Sequence, residues 1–429
     1  MTWAGVGNYY ARSAQSAPET SQLAGDVTTS VAIVGAGFTG LGAALELAKH
    51  QTPCIVLDAG PIGFGASGRN GGQAHIGQRQ DQLWLERVMG ADDARKLWDL
   101  ALDARAHLDD LLSSEGIECD FNSGLLDVDH KRRFVRETRE YVAHLNTRYG
   151  YSDVRFVDQN ETRALVASDN YYGGKLDTRG GHLNPLKLTH GIATAALRAG
   201  AKIFTHTRVT KLERSGMKWR LTTPHGVVTA DKVILAGDGT LQGLSKPLDA
   251  RVIPINNFIA VTAPLAPERA AALIRNRAAV SDSRFVVYYF RLTPDNRLLF
   301  GGGENYSYRF PADIASFVRP HILRIFPQLH DVGIDFAWGG TLGITTNRMP
   351  LVREIEPGLI TAAGYSGLGV VLAPYFGKIL AQSIISARGN GDDFGLLARV
   401  PNMRFPGGPA LRWPTLVAAM SFFALRDRL

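Results

Sequence analysis

The 429-residue chain is 45% apolar and 20% charged, enough to bury the core of two substantial domains or one large mixed one. Its two cysteines, Cys54 and Cys119, exclude a disulfide scaffold and a cysteine-rich zinc or iron–sulfur site, and they suit a reducing cytoplasm. The net charge of +7 is dispersed, with Lys131-Arg132-Arg133 the only run of three, so no nucleic-acid partner is expected; no apolar stretch reaches about 18 residues, so no membrane span is expected either.

Met1 to Gly25 is small and polar, without the basic start and apolar core of a signal peptide. Val31 to Val34 then reads as a buried strand, Leu41 to Lys49 as a helix and Cys54 to Leu57 as a second strand. Between the first strand and the helix lies Gly35-Ala36-Gly37-Phe38-Thr39-Gly40, and Asp58 follows Gly35 by 23 residues. This is the pattern of a dinucleotide-binding βαβ unit. Gly35 allows the tight turn, Gly37 the close approach of a pyrophosphate, and Gly40 close packing of helix on strand. The helix N-terminus offers free N–H groups and the positive end of a dipole.

Gly63 to Gln73 has five glycines in eleven positions, with Ser67, Arg69, Asn70 and Gln73 among them. A loop of so little bulk and so many backbone donors can wrap a long, flat, polyphosphate cofactor. Asp81 to Glu115 reads as helix, Cys119 to Val128 as strands around an Asn122-Ser123-Gly124 turn, and Arg132 to Tyr149 as helix. Tyr171 to Arg179 reads as a strand leading into a Gly180-Gly181-His182 turn, and Asn184-Pro185 caps a helix to Ala199. A short strand, Lys202 to Thr205, and a three-strand meander come next. Lys232 to Leu235 is a buried strand that enters the turn Ala236-Gly237-Asp238-Gly239. Arg251 to Pro264 and Phe285 to Gly303 suit a second sheet. Leu359 to Ala363 is a third buried strand with a glycine-rich end, Gly364 to Gly369, followed by a helix from Val370 to Ala387; Ala410 to Leu425 reads as a packed C-terminal helix. Three glycine-rich strand ends, near residues 35, 237 and 364, are consistent with one cofactor bed.

These segments, with Gly180 to Leu186, Tyr289 to Leu299, Gly364 to Gly367 and Phe405 to Gly408, resemble the D-amino-acid oxidase superfamily of FAD-dependent oxidoreductases over essentially the whole chain. Within it the resemblance is to the γ-glutamylputrescine-oxidising branch. The resemblance implies an α/β fold (α+β overall), with a Rossmann-type FAD domain over 28–115, 180–245 and 335–390. A substrate domain on a mixed β-sheet would cover 116–179 and 246–334, with an N-terminal extension over 1–27 and a tail over 391–429.

It also implies roles for particular residues. Gly35, Gly37, Phe38, Thr39 and Gly40 would hold the FAD pyrophosphate, with Ala236 and Gly237 on its other side. Asp58 and Ala59 would meet the adenosine ribose and Val209 the adenine end. Ala66, Ser67, Arg69, Asn70, Gly71, Gly72 and Gln73 would run beside the flavin. Gly364, Tyr365, Ser366, Gly367, Leu368, Gly369 and Val370 would cover its pyrimidine edge. Arg291 would bind a substrate carboxylate, with an ion pair to Asp295 or Glu304 as its competing role. Tyr289 and Tyr365 would line the amine pocket. Relatives often carry His at Leu368 and Glu at Asp58. FAD is expected without a covalent link, since no cysteine lies beyond Cys119. No metal and no acid–base residue is nominated.

The implied reaction converts an amine to an imine, hydrolysed to an aldehyde, with electrons passing to O2 to give H2O2 or to another acceptor. The alternatives are an oxidase or dehydrogenase of a small amino acid (pipecolate, sarcosine or a D-amino acid) and a non-catalytic flavin-binding protein.

Overall fold

The computed structural model describes residues 7–241, 243–305, 309–386, 392–407 and 417. The helix expected over 410–425 lies, but for residue 417, outside the described residues.

The buried apolar runs form a parallel sheet. Its central order is Leu359–Ala363, Gly226–Leu235, Val27–Val34, Cys54–Leu57 and Lys202–Phe204, with Leu351–Glu356 added antiparallel at one edge. Residues alternate between two cores, as a period of two requires. Val31, Ile33, Cys54 and Val56 face Leu41, Val371 and Phe376 on the helices Phe38–Lys49 and Gly369–Ile385. Ala32, Val34, Ile55 and Leu57 face Trp219, Leu221 and Val228 of the meander. The two helices pack unusually close, because a Cβ at Gly42 would penetrate the Pro374 carbonyl and one at Gly377 the Thr39 carbonyl.

The second sheet runs Ile334–Ile344, Ile253–Thr262, Leu298–Asn305, Tyr289–Leu292, Ala279–Asp282, Asn122–Val128, Gly174–His182 and Gln73–Ala74, with Val154–Val157 also on Gly174–His182. It is mixed, since Ala279–Asp282 pairs parallel to Asn122–Val128 and antiparallel to Tyr289–Leu292. One face is a dry core in which Leu126, Leu176, Val280, Phe290 and Phe300 meet Val318, Ile322 and Ile325 of the helix Ile314–Ile325. On the other face Ile259, Val261, Leu299 and Trp338 pack against Tyr9, Tyr10 and Leu186.

Three local expectations are corrected. Gly90, at φ +83°, splits the long helix into Gln82–Met89 and Ala91–Ser114. Asn122-Ser123-Gly124 is a bulge within one strand, with Gly124 at φ +101°. Gly180-Gly181-His182 continues its strand. Ile334–Ile344 pairs along Ile253–Thr262 in the second sheet, and Gln73–Ala74 pairs there with His182 and Gly181.

The Gly42 contact leads to a direct expectation. Gly42→Ala overpacks the crossing of the two helices, and lost stability of about 1–3 kcal/mol is expected. Denaturant unfolding of the protein measures it, and an unchanged midpoint would contradict the contact.

Candidate active site

The glycine cradle sits at the C-terminal ends of the parallel strands. Gly35 adopts φ +115°, and a Cβ there would lie 2.8 Å from the Ala236 oxygen. The first two glycine-rich strand ends are therefore adjacent. A Cβ at Gly37 would lie 2.8 Å from the Ser67 hydroxyl, which itself accepts a 2.9 Å hydrogen bond from the Phe38 amide. A Cβ at Gly40 would penetrate the Gly35 carbonyl, so that glycine serves helix–strand packing. Asp58 accepts hydrogen bonds from the Ala36 amide at 2.7 Å and the Gly60 amide at 2.8 Å. Burial pushes its carboxyl above the usual range, against those amides and Arg208. The Asp58 carbonyl accepts from Thr207, which brings buried Val209 alongside, and Ala59 is exposed beside it.

Between the cradle and the second sheet lies a cavity of about 470 Å³. Of the residues nominated from sequence, Phe38, Thr39, Ala66, Ser67, Arg69, Asn70, Gly71, Gln73, Ala236, Tyr289 and Tyr365 to Val370 line it. Gly35, Gly37, Gly40, Asp58, Ala59, Gly72, Val209, Gly237, Gly364 and Arg291 do not. Two helix N-termini open on this cavity, at Phe38 and at Gly369, and neither is capped by its own N-cap side chain. Each presents roughly half a positive charge. A glycine cradle with no room for a Cβ and two dipole ends suit a flat, anionic cofactor, and FAD fits these residues.

Tyr289 forms part of the opposite wall. Its ring covers Gly301 and packs against Gly71, where a Cβ would come within 2.5 Å of Cε2. Its hydroxyl donates to Asn257 Oδ1. Tyr365 faces the cavity, with its hydroxyl 2.7 Å from Thr39 Oγ1 across the first sheet's helix. Asn70 stiffens the loop, accepting from the Gly72 amide at 2.7 Å and donating to the Ala66 and Ser67 carbonyls.

Arg291 is corrected. It shares a sheet face with Tyr289 but lies two residues along, behind the wall, and is 3% exposed. Its Nε donates to the Gly71 carbonyl at 2.8 Å, and its terminal nitrogens reach the Leu183 carbonyl at 3.0 Å, the Tyr10 hydroxyl at 3.2 Å and His182 Nδ1 at 3.4 Å. Four of five donors are used, none toward the cavity and none on Asp295. Burial and the Arg291 cation push His182 down to about 3, so its neutral ring meets the arginine. Tyr10 completes the knot, donating to the Asn70 carbonyl at 2.8 Å.

Tyr10, Asp238, Asp127, Lys175 and His75 were not nominated from sequence as site residues. Tyr10 sits in a polar N-terminal stretch that carries no motif. Asp238 has φ +48° and accepts from the Gly343 and Gly364 amides, each at 2.6 Å. Its place between two glycines was the available signal. Asp127 and Lys175, paired across neighbouring strands, line the cavity with His75. A lone charge among Leu125, Leu126 and Val128 was the signal there.

Comparison with known proteins agrees with this geometry. The family model described as FAD dependent oxidoreductase matches residues 30–383. A probable oxidoreductase OrdL of Rhizobium meliloti (strain 1021) is 40% identical, covering 95% of this chain and 94% of its own. The gamma-glutamylputrescine oxidoreductase of Escherichia coli (strain K12) is 36% identical over 98% of both chains. Among solved structures, glycine oxidase from Geobacillus kaustophilus shares the fold with a TM-score of 0.70 at 21% identity, over 85% of this chain and 97% of its own.

Replacing Arg291 with Met leaves the Gly71 and Leu183 carbonyls without their buried partner. A charge-assisted hydrogen bond lost from a buried site costs about 1.5–3 kcal/mol, so a lower melting temperature and weaker FAD retention are expected. KM for the fraction that keeps FAD should stay near wild type. A stable variant with a raised KM would return Arg291 to substrate binding.

Proposed function

Because the chain belongs to the FAD dependent oxidoreductase family, acting on CH–NH or CH–NH2 donors, we propose that it oxidises the terminal amine of a γ-glutamylputrescine-like compound, with O2 as electron acceptor and H2O2 as product. The full-length similarity to the Escherichia coli enzyme supports the substrate class. The observation that carries the reading is the turning away of Arg291. An α-amino acid presents a carboxylate beside the carbon to be oxidised, and this guanidinium, engaged behind the wall, does not meet it. Beside Gly71 the wall is instead the Tyr289–Asn257 pair.

FAD, when bound, supplies acceptance of a hydride equivalent from the carbon next to the amine. The chain supplies placement. Asn70, Arg291 and Tyr10 hold the Ala66–Gly72 loop in one conformation, so no reorganisation is needed at the moment of reaction. The aromatic face of Tyr289 excludes water beside that loop. The dipole ends at Phe38 and Gly369 favour negative charge in the cavity. The imine is hydrolysed by water.

The test is anaerobic bleaching of the flavin by a panel of acylated diamines, free diamines, pipecolate, sarcosine and D-amino acids, followed by admission of air. γ-Glutamylputrescine should bleach at the lowest concentration, and air should restore the colour with peroxide. Fastest bleaching by an amino acid would transfer the assignment to that class, and no bleaching by any of them would make the chain a non-catalytic flavin carrier. Cys54 and Cys119 are buried and do not line the cavity, so acid precipitation should release all FAD to the supernatant, one per chain.

A further inference from the structure

Besides the residues nominated from sequence, the cavity is lined by a polar group that includes His75, Gln78, Asp127 and Lys175, its polar arm. Its floor is one register row of the second sheet. Lys175 lies opposite Asp127, Asp127 opposite Ser281, and Ser281 opposite Tyr289. Directly paired residues share a face, so the row runs from the tyrosine over Gly71 to a carboxylate–ammonium pair. The next row, Leu126, Leu176 and Val280, faces the dry core.

The pair has capacity left for a ligand. Lys175 Nζ donates to Asp127 Oδ2 and has two further N–H donors. Asp127 Oδ1 is 4.0 Å from His75 Nδ1, beyond hydrogen-bond reach. Asp177, two residues along, contrasts with it: its carboxylate accepts from the Tyr151 hydroxyl and the Arg179 and Gly180 amides.

We propose that this arm, with the Asp127–Lys175 pair on its floor, is a specificity subsite for the zwitterionic α-ammonium carboxylate head of a substrate whose far end lies beside Gly71 and Tyr289. The carboxylate takes the two remaining donors of Lys175, and the ammonium takes Asp127 Oδ1. The subsite rests on the amine-oxidoreductase reading only for the identity of that far end.

The test separates the two by using probes that cannot be oxidised at the far end. L-γ-Glutamyl-n-butylamide carries the full head, glutaryl-n-butylamide lacks the ammonium, and pentanoyl-n-butylamide lacks both charges. Calorimetry on the FAD-loaded enzyme should rank them in that order, the first binding at least about tenfold more tightly than the last, since truncating one partner of a desolvated charge pair costs that much or more. Asp127→Asn should close the gap between the first two probes, and Lys175→Met the gap between the last two. Each single change strands a charge, so the double variant Asp127→Asn, Lys175→Gln serves as the folding-safe form. It should bind all three probes equally while keeping its FAD. Equal binding of the three probes by the wild type overturns the proposal without any variant, as does an undiminished preference in the double variant. Head recognition without oxidation of acylated diamines would sink the proposed function and leave the subsite standing; oxidation without head recognition would do the reverse.

Discussion

The arrangement of the whole site depends on the carboxylate of Asp238. It leaves the strand Gly226–Leu235 in a left-handed conformation and accepts two backbone amides from different places. One belongs to Gly364, at the end of the last parallel strand, and the other to Gly343, in the second sheet. One side chain thus fixes the spacing of two glycine-rich turns and the approach of one sheet to the other. Gly343 has to be glycine, because a Cβ would lie 2.5 Å from Asp238 Oδ1. Burial raises the carboxyl and the amides oppose this, a conflict that a purely structural surface residue would not carry.

A second knot closes the opposite side of the cavity. Arg291 gathers the Gly71 carbonyl, the Leu183 carbonyl, His182 and Tyr10. Those groups come from the flavin-side loop, the strand end before the Pro185 helix, and the N-terminal helix Tyr9–Ser13. The N-terminal extension therefore buttresses the site's wall from behind. Tyr9 reinforces it by donating to Asp295 Oδ1 at 2.6 Å, and Asn8 by donating to the Gly68 carbonyl.

The glycine cradle was legible in the sequence because its physics is local. A turn at positive φ, a helix N-terminus and a buried strand are all encoded within 23 residues of Gly35. The parallel order of strands ending near 35, 237 and 364 followed from the same logic. Arg291 was misread because sequence shows which face a strand residue takes, but not which part of that face lies over a cavity. Tyr289 and Arg291 alternate correctly with Phe290 and Leu292, yet two residues of rise carry the arginine behind the wall. Asp127 and Lys175 are 48 residues apart, and only the register of their strands makes them neighbours. The place of Ile334–Ile344 was illegible for the same reason, since its partner strand and not its own composition assigns it to a sheet.

The second sheet has one dry face and one charged row, and the contrast has an energetic meaning. A pair such as Asp127–Lys175 loses hydration on enclosure, and a well-packed apolar pair is often as stable or more so. Burial opposes both charges, but the ammonium holds the carboxyl below its usual range and the carboxyl holds the lysine above its own. Both groups therefore stay ionised where folding alone would favour leucines like those on the reverse face. Local sequence that works against stability is expected where a site has a use for it. Here the ionised pair lines the cavity, where a ligand with complementary charges gives it a use.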